Sequence, residues 1–459
     1  MEGLKKKYGL LTGIAMVVGI VIGSGVFFKA HRVLVNTNGK LGLALFAWLI
    51  GGLIMVISAY CFSQLATKIE KVNGVVDYVE AATNKKVAYF TGWYFTTVYY
   101  PILISILAFL SVNYFFVLIG QGALIVVSWI FWVAVALTIT AAFAMNTLAP
   151  KIAGHFQVST TFIKMIPIII IAIVGTVVGL INGNTSLAFA SLGNNAIVKN
   201  DFGSALLATI FAYEGWIVAT SINAELTDSK KNLPIALLIG TLIVIAAYLL
   251  YYLGLSSIIP NTNDIIQLQN NAPIVAIGTL LGPIGEVLFN IFLIISCLGT
   301  LNGLTMGGSR GFYSLAVRQQ GPRPEVFRKL HEKTNTSIAS SVVGYVLAIA
   351  FMGLWIVSML TSFNYLGTMD ELSIAFIYAV YIAVYVWMIK TGKNLNIFNR
   401  YIMPILAILC ALLLVFAATG LFKFVSTGDT YSIISFAVFL GLAAISLLIG
   451  AFFYKKETN

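Results

Sequence analysis

Charged side chains are scarce in this sequence, and cysteine is scarcer still. Asp, Glu, Lys and Arg make up 9% of the 459 residues, whereas soluble domains average about 25%. So few charges cannot cover a soluble fold of this size, which excludes soluble enzymes and nucleic-acid-binding proteins. The three cysteines, Cys61, Cys297 and Cys410, all lie in apolar stretches, which argues against a disulfide scaffold or a metal cluster. We expect neither a metal nor a cofactor.

Long apolar runs are what the sequence has instead. Hydrophobic residues make up 59% of the chain, and a helix needs about 20 of them to cross a bilayer. The predicted spans lie at residues 8–30, 41–66, 87–118, 123–145, 155–181, 202–224, 233–259, 284–316, 337–359, 364–389, 401–421 and 432–453. The predicted fold class is therefore an all-α membrane protein, with twelve transmembrane helices in one domain over residues 1–459. The longest predicted loops are 182–201, 260–283 and 318–336.

Lysine and arginine are distributed unevenly among the predicted loops. With the N-terminus inside, 20 of the 27 lie in segments that would face the cytoplasm, and five, Lys29 among them, lie in outer segments. Such an excess marks cytoplasmic loops. We predict a multi-pass protein of the cell membrane with both termini in the cytoplasm. The asymmetry also accounts for the net charge of +11 without a nucleic-acid partner.

The first span contains Gly23, Ser24 and Gly25 in its middle. Glycine is about 1 kcal/mol less favourable than alanine in a helix. Small residues four apart are also typical of close helix packing in membranes. Because the three residues are consecutive and more apolar residues follow, we favour an unwound segment here.

The sixth span carries a second interruption, at Glu214 and Gly215. A carboxylate in mid-membrane is costly unless it is satisfied. Glu214 could accept hydrogen bonds from N–H groups where the helix restarts, or it could contact a substrate or a proton. Both interpretations stay open.

The two interruptions lie five helices apart, which predicts an internal repeat. Residues 8–181 (helices 1–5) and 202–389 (helices 6–10) would form the repeats, with residues 401–453 (helices 11 and 12) appended. Because five is odd, the second repeat is inverted, and broken helices of inverted repeats meet at the midplane in secondary transporters. Freed N–H groups attract a carboxylate, and freed carbonyls attract an ammonium. The pattern predicts a site for a zwitterion such as an amino acid.

Three further residues stand out inside the predicted spans. Lys164 lies roughly 13 residues, about 20 Å, past Lys151, which is further than its side chain could reach toward the interface. We therefore expect it to point into the protein rather than to snorkel. Tyr248 and Tyr99 are expected to be packing residues. They are weaker candidates than the residues of the two interruptions for lining a substrate path.

Several stretches together resemble one known family. Residues 13–27, with the Gly-Ser-Gly motif, are similar to the first helix of the amino acid–polyamine–organocation superfamily, in particular prokaryotic members of its L-type amino acid transporter branch. Residues 211–216 resemble that branch's sixth-helix signature, and residues 224–226 through 232–234 resemble the stretch that follows it. Residues 308–322 resemble the end of its eighth helix. The matches touch both repeats and so cover essentially the whole chain.

The resemblance implies roles for the residues at the two interruptions. The N–H groups of Ser24 and Gly25 would hold the substrate carboxylate, and Gly23 belongs to the same unwound segment. The ammonium would bind carbonyls of the following residues: Val21, Phe211, Ala212 and Glu214. The Phe211 ring would cover the substrate as a gate. Lys164 would replace a coupling cation and contact carbonyls of the unwound first helix.

The implied function is sodium-independent exchange of small or medium neutral L-amino acids by alternating access. A proton-coupled symporter, with Lys164 or Glu214 titrating, is one alternative, and a cationic amino acid or polyamine carrier with Glu214 as counter-ion is another. Expected partners are the substrate and the lipid bilayer. Relatives attached to a heavy chain use a cysteine between helices 3 and 4, and residues 120–122 contain none, so we expect no disulfide-linked heavy chain.

Overall fold

A computed structural model describes residues 9–66, 74–191, 201–217, 226–361, 363 and 365–455. The described chain is helical and contains no β-strand. The helices of the first half are α1 (Leu10–Val21), α2 (Gly25–Asn36), α3 (Leu41–Ala66), α4 (Val75–Ala82), α5 (Lys85–Leu118), α6 (Trp129–Leu148), α7 (Pro150–Ile181) and α8 (Asn184–Ala190). Those of the second half are α9 (Phe202–Tyr213), α10 (Ser229–Ile258), α11 (Thr262–Leu268), α12 (Ala272–Ser309), α13 (Gly311–Val317), α14 (Pro324–Phe327), α15 (Ile338–Leu360), α16 (Met369–Thr391), α17 (Phe398–Ala418), α18 (Leu421–Thr427) and α19 (Tyr431–Phe452).

Ten helices of the described chain are long and apolar enough to cross a membrane. Two shorter apolar helices, Leu10–Gly19 and Phe202–Tyr213, lie where the first and sixth spans were predicted. The chain is therefore a multi-pass membrane protein. The count of twelve spans stays a prediction.

The three longest predicted loops all contain helix: α8 lies in 182–201 and α14 in 318–336. In 260–283 most residues are helical. Helix α11 occupies part of this segment, and α12 begins at Ala272 and bends at Gly282, where φ is +71°. Pro283 follows and removes a backbone donor, so the helix changes direction there. The segment is apolar enough for helix but too short for another span, which is why the hydropathy pattern alone missed it.

The described chain divides into two compact units. The first contains residues 1–78, 164–292 and 374–433, so far as they are described. Its centre is aromatic: the ring of Trp48 in α3 lies 5.8 Å from that of Tyr213 and 5.7 Å from that of Tyr248. Glycine permits close approach of the second half of α7 to α10, because a Cβ on Gly175 would lie 2.8 Å from the Gly254 carbonyl oxygen.

The second unit contains residues 79–163, 293–373 and 434–459, so far as they are described. Buried amides hold its helices α6, α7 and α12 together. Asn146 donates to the side-chain oxygen of Asn302 at 2.9 Å. Asn302 in turn donates to the Ala153 carbonyl and to the Gln157 side chain, each at 3.0 Å. Both asparagines are buried, so the network satisfies polar groups that lipid or core could not.

We expect Asn302→Ala to lower the free energy of unfolding by roughly 2 kcal/mol, since three interhelical hydrogen bonds at about 0.6 kcal/mol each are lost. Thermal unfolding of the purified protein in detergent measures the change. The matched control is Thr300→Val, because the Thr300 hydroxyl donates only to Ser296 in its own helix. Equal melting temperatures for the two variants would show that the amide network adds nothing to stability.

Candidate substrate site

The first span is interrupted where its glycine-rich segment lies. Helix α1 ends at Val21, Ile22 is extended, and α2 begins at Gly25. The first hydrogen bonds of α2 run from the N–H groups of Phe27 and Phe28 to the Ser24 carbonyl, at 3.0 and 3.4 Å. Within the described residues, the N–H groups of Ser24 and Gly25 donate to no backbone carbonyl.

The Ser24 side chain lies in the same interruption. Its hydroxyl is buried, with the residue 1% exposed, and has no hydrogen-bond partner within the described chain. Two backbone donors and a hydroxyl thus lie at the N-terminal end of α2. This end carries the positive pole of the helix, which favours a carboxylate.

At Gly25, α2 lies close to α9. A Cβ at Gly25 would lie 2.6 Å from the Cα of Ala212 and 3.2 Å from a ring carbon of Phe211. The nearer atom is backbone and cannot rotate away. Any side chain at this position therefore separates the two helices.

The sixth span is interrupted as well. Helix α9 ends at Tyr213, Glu214 is extended and half-buried, and Gly215 has φ of +108°, a conformation that favours glycine. The Glu214 N–H donates to the Phe211 carbonyl at 3.3 Å. Glu214 lies within electrostatic reach of the Tyr378 hydroxyl. These contacts fit both interpretations of its carboxylate, which therefore stay open.

Tyr248 of α10 connects the two interruptions. Its hydroxyl oxygen lies 3.2 Å from the Val21 carbonyl oxygen and 3.0 Å from that of Ala212, so its single proton is donated to one of them or shared between both. The ring is fully buried. Each carbonyl oxygen has a second lone pair, so the Tyr248 contact does not use up its capacity to accept, and the ammonium contacts stay a prediction. Tyr248 acts here as a bridge, a role that its position in the sequence did not indicate.

The Phe211 ring is half-buried and lies against α2. Its centroid is 5.1 Å from that of Phe28, at an interplanar angle of 69°. The Nζ atom of Lys29 lies 4.9 Å from the same centroid. Sequence reasoning counted Lys29 only as a charge of an outer segment. The structure adds that α2 continues to Asn36 and buries Lys29 to 1% exposure, so this charge does not lie in a loop.

Lys164 and Tyr99 lie elsewhere in the two units. Lys164 is 1% exposed, so its side chain lies inside the protein. No hydrogen bond from it to the first span is found within the described residues, and its predicted contact there stays a prediction. Tyr99 belongs to the second unit, where its buried ring packs on Phe95 and Tyr100 at 4.9 and 5.5 Å. Its role in a substrate path also stays a prediction.

Comparison with known proteins decides the family. Residues 8–444 match the family of amino acid permeases. The chain belongs to this family. It is 32% identical to the serine/threonine exchanger SteT of Bacillus subtilis (strain 168) over 385 residues, which are 84% of this chain and 83% of the relative. It is 26% identical to the human cystine/glutamate transporter over 74% of this chain and 66% of the relative.

A third relative confirms the branch of this amino acid permease. The human b(0,+)-type amino acid transporter 1 is 29% identical over 68% of this chain and 62% of its own length. These similarities confirm the resemblance to the L-type branch of the amino acid–polyamine–organocation superfamily. The family consists of transporters rather than enzymes. Residues 224 and 225 of the motif at 224–226 lie outside the described residues.

Two residues of the site were missed by sequence reasoning about the permease. Lys29 follows Gly25 by four positions, and this spacing places both on one face of a helix. The spacing is visible in the sequence, but Lys29 was interpreted only as a charge of an outer segment. Trp48, whose ring packs on Tyr213 and Tyr248, gave no comparable signal, because a tryptophan in an apolar span is ordinarily a packing residue.

Proposed function

We propose that this permease exchanges small or medium neutral L-amino acids across the cell membrane, independently of sodium, by alternating access. The observation that carries the proposal is the interruption before α2. There the Ser24 and Gly25 N–H groups and a buried Ser24 hydroxyl lie at the start of α2, and a Cβ on Gly25 would lie 3.2 Å from the Phe211 ring. Such an arrangement suits the carboxylate of an amino acid under an aromatic cover.

The division into two units supports the proposed inverted repeat. Helix α3 and its proposed equivalent α10 both lie in the first unit, as do α1 and α9. The second unit holds α6 together with its proposed equivalent α15. The fifth and tenth spans are each divided, at residues 163/164 and 373/374. The third and eighth spans do not correspond in this way, because α5 lies in the second unit and α12 is divided at residues 292/293. Agreement in the other four pairs is what a repeat with an offset of five helices would produce.

Relatives support the exchange mode and the neutral substrate. One relative is named a serine/threonine exchanger, and both of those amino acids are small and neutral. The freed backbone groups of the two interruptions suit the carboxylate and the ammonium that all amino acids share. The size of the substrate side chain is limited by other surfaces of the protein. We therefore propose neutral L-amino acids as the class and leave the individual substrate to experiment.

Lys164 supports sodium independence. A buried ammonium, 1% exposed, would repel a second cation bound nearby. The orientation proposed from the lysine and arginine distribution places both termini in the cytoplasm. We also propose that no heavy chain is linked by a disulfide through residues 120–122.

Purified protein in liposomes tests the proposal with a panel of labelled amino acids. Uptake of L-serine should persist when choline replaces sodium, and unlabelled substrate inside the vesicles should stimulate it strongly. Lys164→Ala should reduce this turnover while the protein remains folded. Strong accumulation driven by an inward proton gradient, in vesicles without internal amino acid, would instead identify a symporter. Arginine uptake that Glu214→Gln abolishes would identify a cationic amino acid carrier.

A further inference from the structure

Three residues of α2 surround one side of the Phe211 ring. Gly25, Phe28 and Lys29 are spaced i, i+3 and i+4, which places them on one face of the helix. A Cβ on Gly25 would lie 3.2 Å from the ring, the Phe28 centroid lies 5.1 Å away, and the Lys29 Nζ lies 4.9 Å away. We call these three residues the ring-contact face of α2. The position of Phe211 therefore depends on the half-helix that begins at the substrate site.

Lys29 is the charged member of this face. It is 1% exposed, and a buried ammonium is costly unless its surroundings compensate it. Part of that compensation comes from two aromatic rings, because its Nζ lies 5.2 Å from the Phe28 centroid and 4.9 Å from that of Phe211. Both distances are within the roughly 6 Å over which a cation is attracted to a ring face. The attraction strengthens as water is excluded, so it favours the position of the ring that the structure shows.

We propose that Lys29 is a positioning residue of the Phe211 gate. The ammonium holds the ring against α2 and so ties the closed position of the gate to the half-helix that binds the carboxylate. This proposal rests on the proposed function of Phe211. It extends that function by assigning the group that sets how often the gate is closed.

Two substitutions at position 29 separate charge from size. Lys29→Met keeps a long apolar stem without the cation, and Lys29→Arg keeps a cation that packs well on aromatic rings. In liposomes preloaded with L-serine, we expect Lys29→Met to raise the KM for external L-serine by about tenfold, and Lys29→Arg to stay within about twofold of the parent. A tenfold change corresponds to about 1.4 kcal/mol, within the range of a desolvated cation–π contact. The matched control is Lys40→Met, since Lys40 is exposed in the same unit.

A double-mutant cycle with Phe211→Leu tests whether Lys29 acts through the ring. Affinity for L-serine is measured by direct binding to the four purified proteins, so that slow transport does not obscure the result. We expect Lys29→Met to change the affinity for L-serine by less than twofold in the Phe211→Leu background, because the aromatic ring that Lys29 contacts is already absent there. Additive effects in the cycle would overturn the role of Lys29 while leaving the gate intact. Unchanged binding and exchange in Phe211→Leu alone would overturn the gate itself.

Folding is checked on the same samples. Size-exclusion profiles and melting temperatures of Lys29→Met should lie close to those of the parent, since methionine keeps an apolar stem of similar length at this position. If Lys29→Met and Lys29→Arg both unfold, the charge is not what position 29 supplies, and the proposal is wrong.

Discussion

Gly25→Ala is expected to lower L-serine exchange by about tenfold, and Gly25→Val to abolish it. The physical reason is the 2.6 Å distance between a Cβ at position 25 and the Cα of Ala212. Because this neighbour is backbone, α2 and α9 must separate, and overpacking of this kind costs about 1–3 kcal/mol. A larger side chain also covers the N–H group that the proposal assigns to the substrate carboxylate. Exchange in preloaded liposomes and direct binding of L-serine measure both effects.

Two comparisons distinguish substrate binding from packing. Gly42→Ala is the matched control in the same unit, since a Cβ there would meet only the Phe189 ring, at 3.8 Å. Ser24→Ala removes the buried hydroxyl but keeps both N–H groups, and we expect it to retain substantial uptake. Loss of binding in a folded Ser24→Ala protein would show that the hydroxyl, rather than the backbone, holds the carboxylate. Normal exchange in Gly25→Val would refute the site at this interruption.

The positions of the two interruptions were predictable because their causes are local. Consecutive small residues around Ser24, and a glycine beside Glu214, weaken a helix wherever they occur. The structure ends α1 at Val21 and α9 at Tyr213, within a few residues of the predicted unwinding. The long apolar spans were also predictable from the sequence, since their length follows from the thickness of the bilayer.

The contacts that join the interruptions were not predictable, because they form between residues far apart in sequence. Tyr248 donates to Val21, which lies 227 positions away, and nothing in its own span indicates an unpaired carbonyl there. Lys29 meets the ring of Phe211 only after two helices have packed. The charge pattern did not indicate this burial, since a lysine near the end of a span ordinarily reaches water. Composition records how many charges there are, whereas packing decides which of them are buried.

Tyr248 also shows why the unwound segments need hydrogen-bond donors from other helices. Freed carbonyls in a membrane protein cost several kcal/mol if nothing satisfies them. One phenol hydroxyl lies within hydrogen-bond distance of the carbonyls of the last residue of α1 and of a residue near the end of α9. These are two of the carbonyls that the resemblance assigns to the substrate ammonium, and each oxygen has two lone pairs. Tyr248 and an ammonium could therefore share them.

Phe211→Ala is expected to slow L-serine exchange by about a hundredfold, the equivalent of about 2.7 kcal/mol. An occluded substrate must be separated from water on both sides at once, and the half-buried Phe211 ring lies beside the interruption where the carboxylate is proposed to bind. Alanine leaves that cover open, so substrate is released before the protein changes conformation. Phe211→Trp and Phe211→Tyr keep an aromatic surface that can pack on Phe28 and Lys29, and we expect them to remain within about fivefold of the parent.

Single-turnover exchange from preloaded liposomes measures the three rates. Phe46→Ala is the matched control, because Phe46 is 50% exposed in the same unit and its loss should leave the rate unchanged. Equal rates for all three substitutions at position 211 would return Phe211 to a packing role, and the aromatic cover would then have to come from another residue.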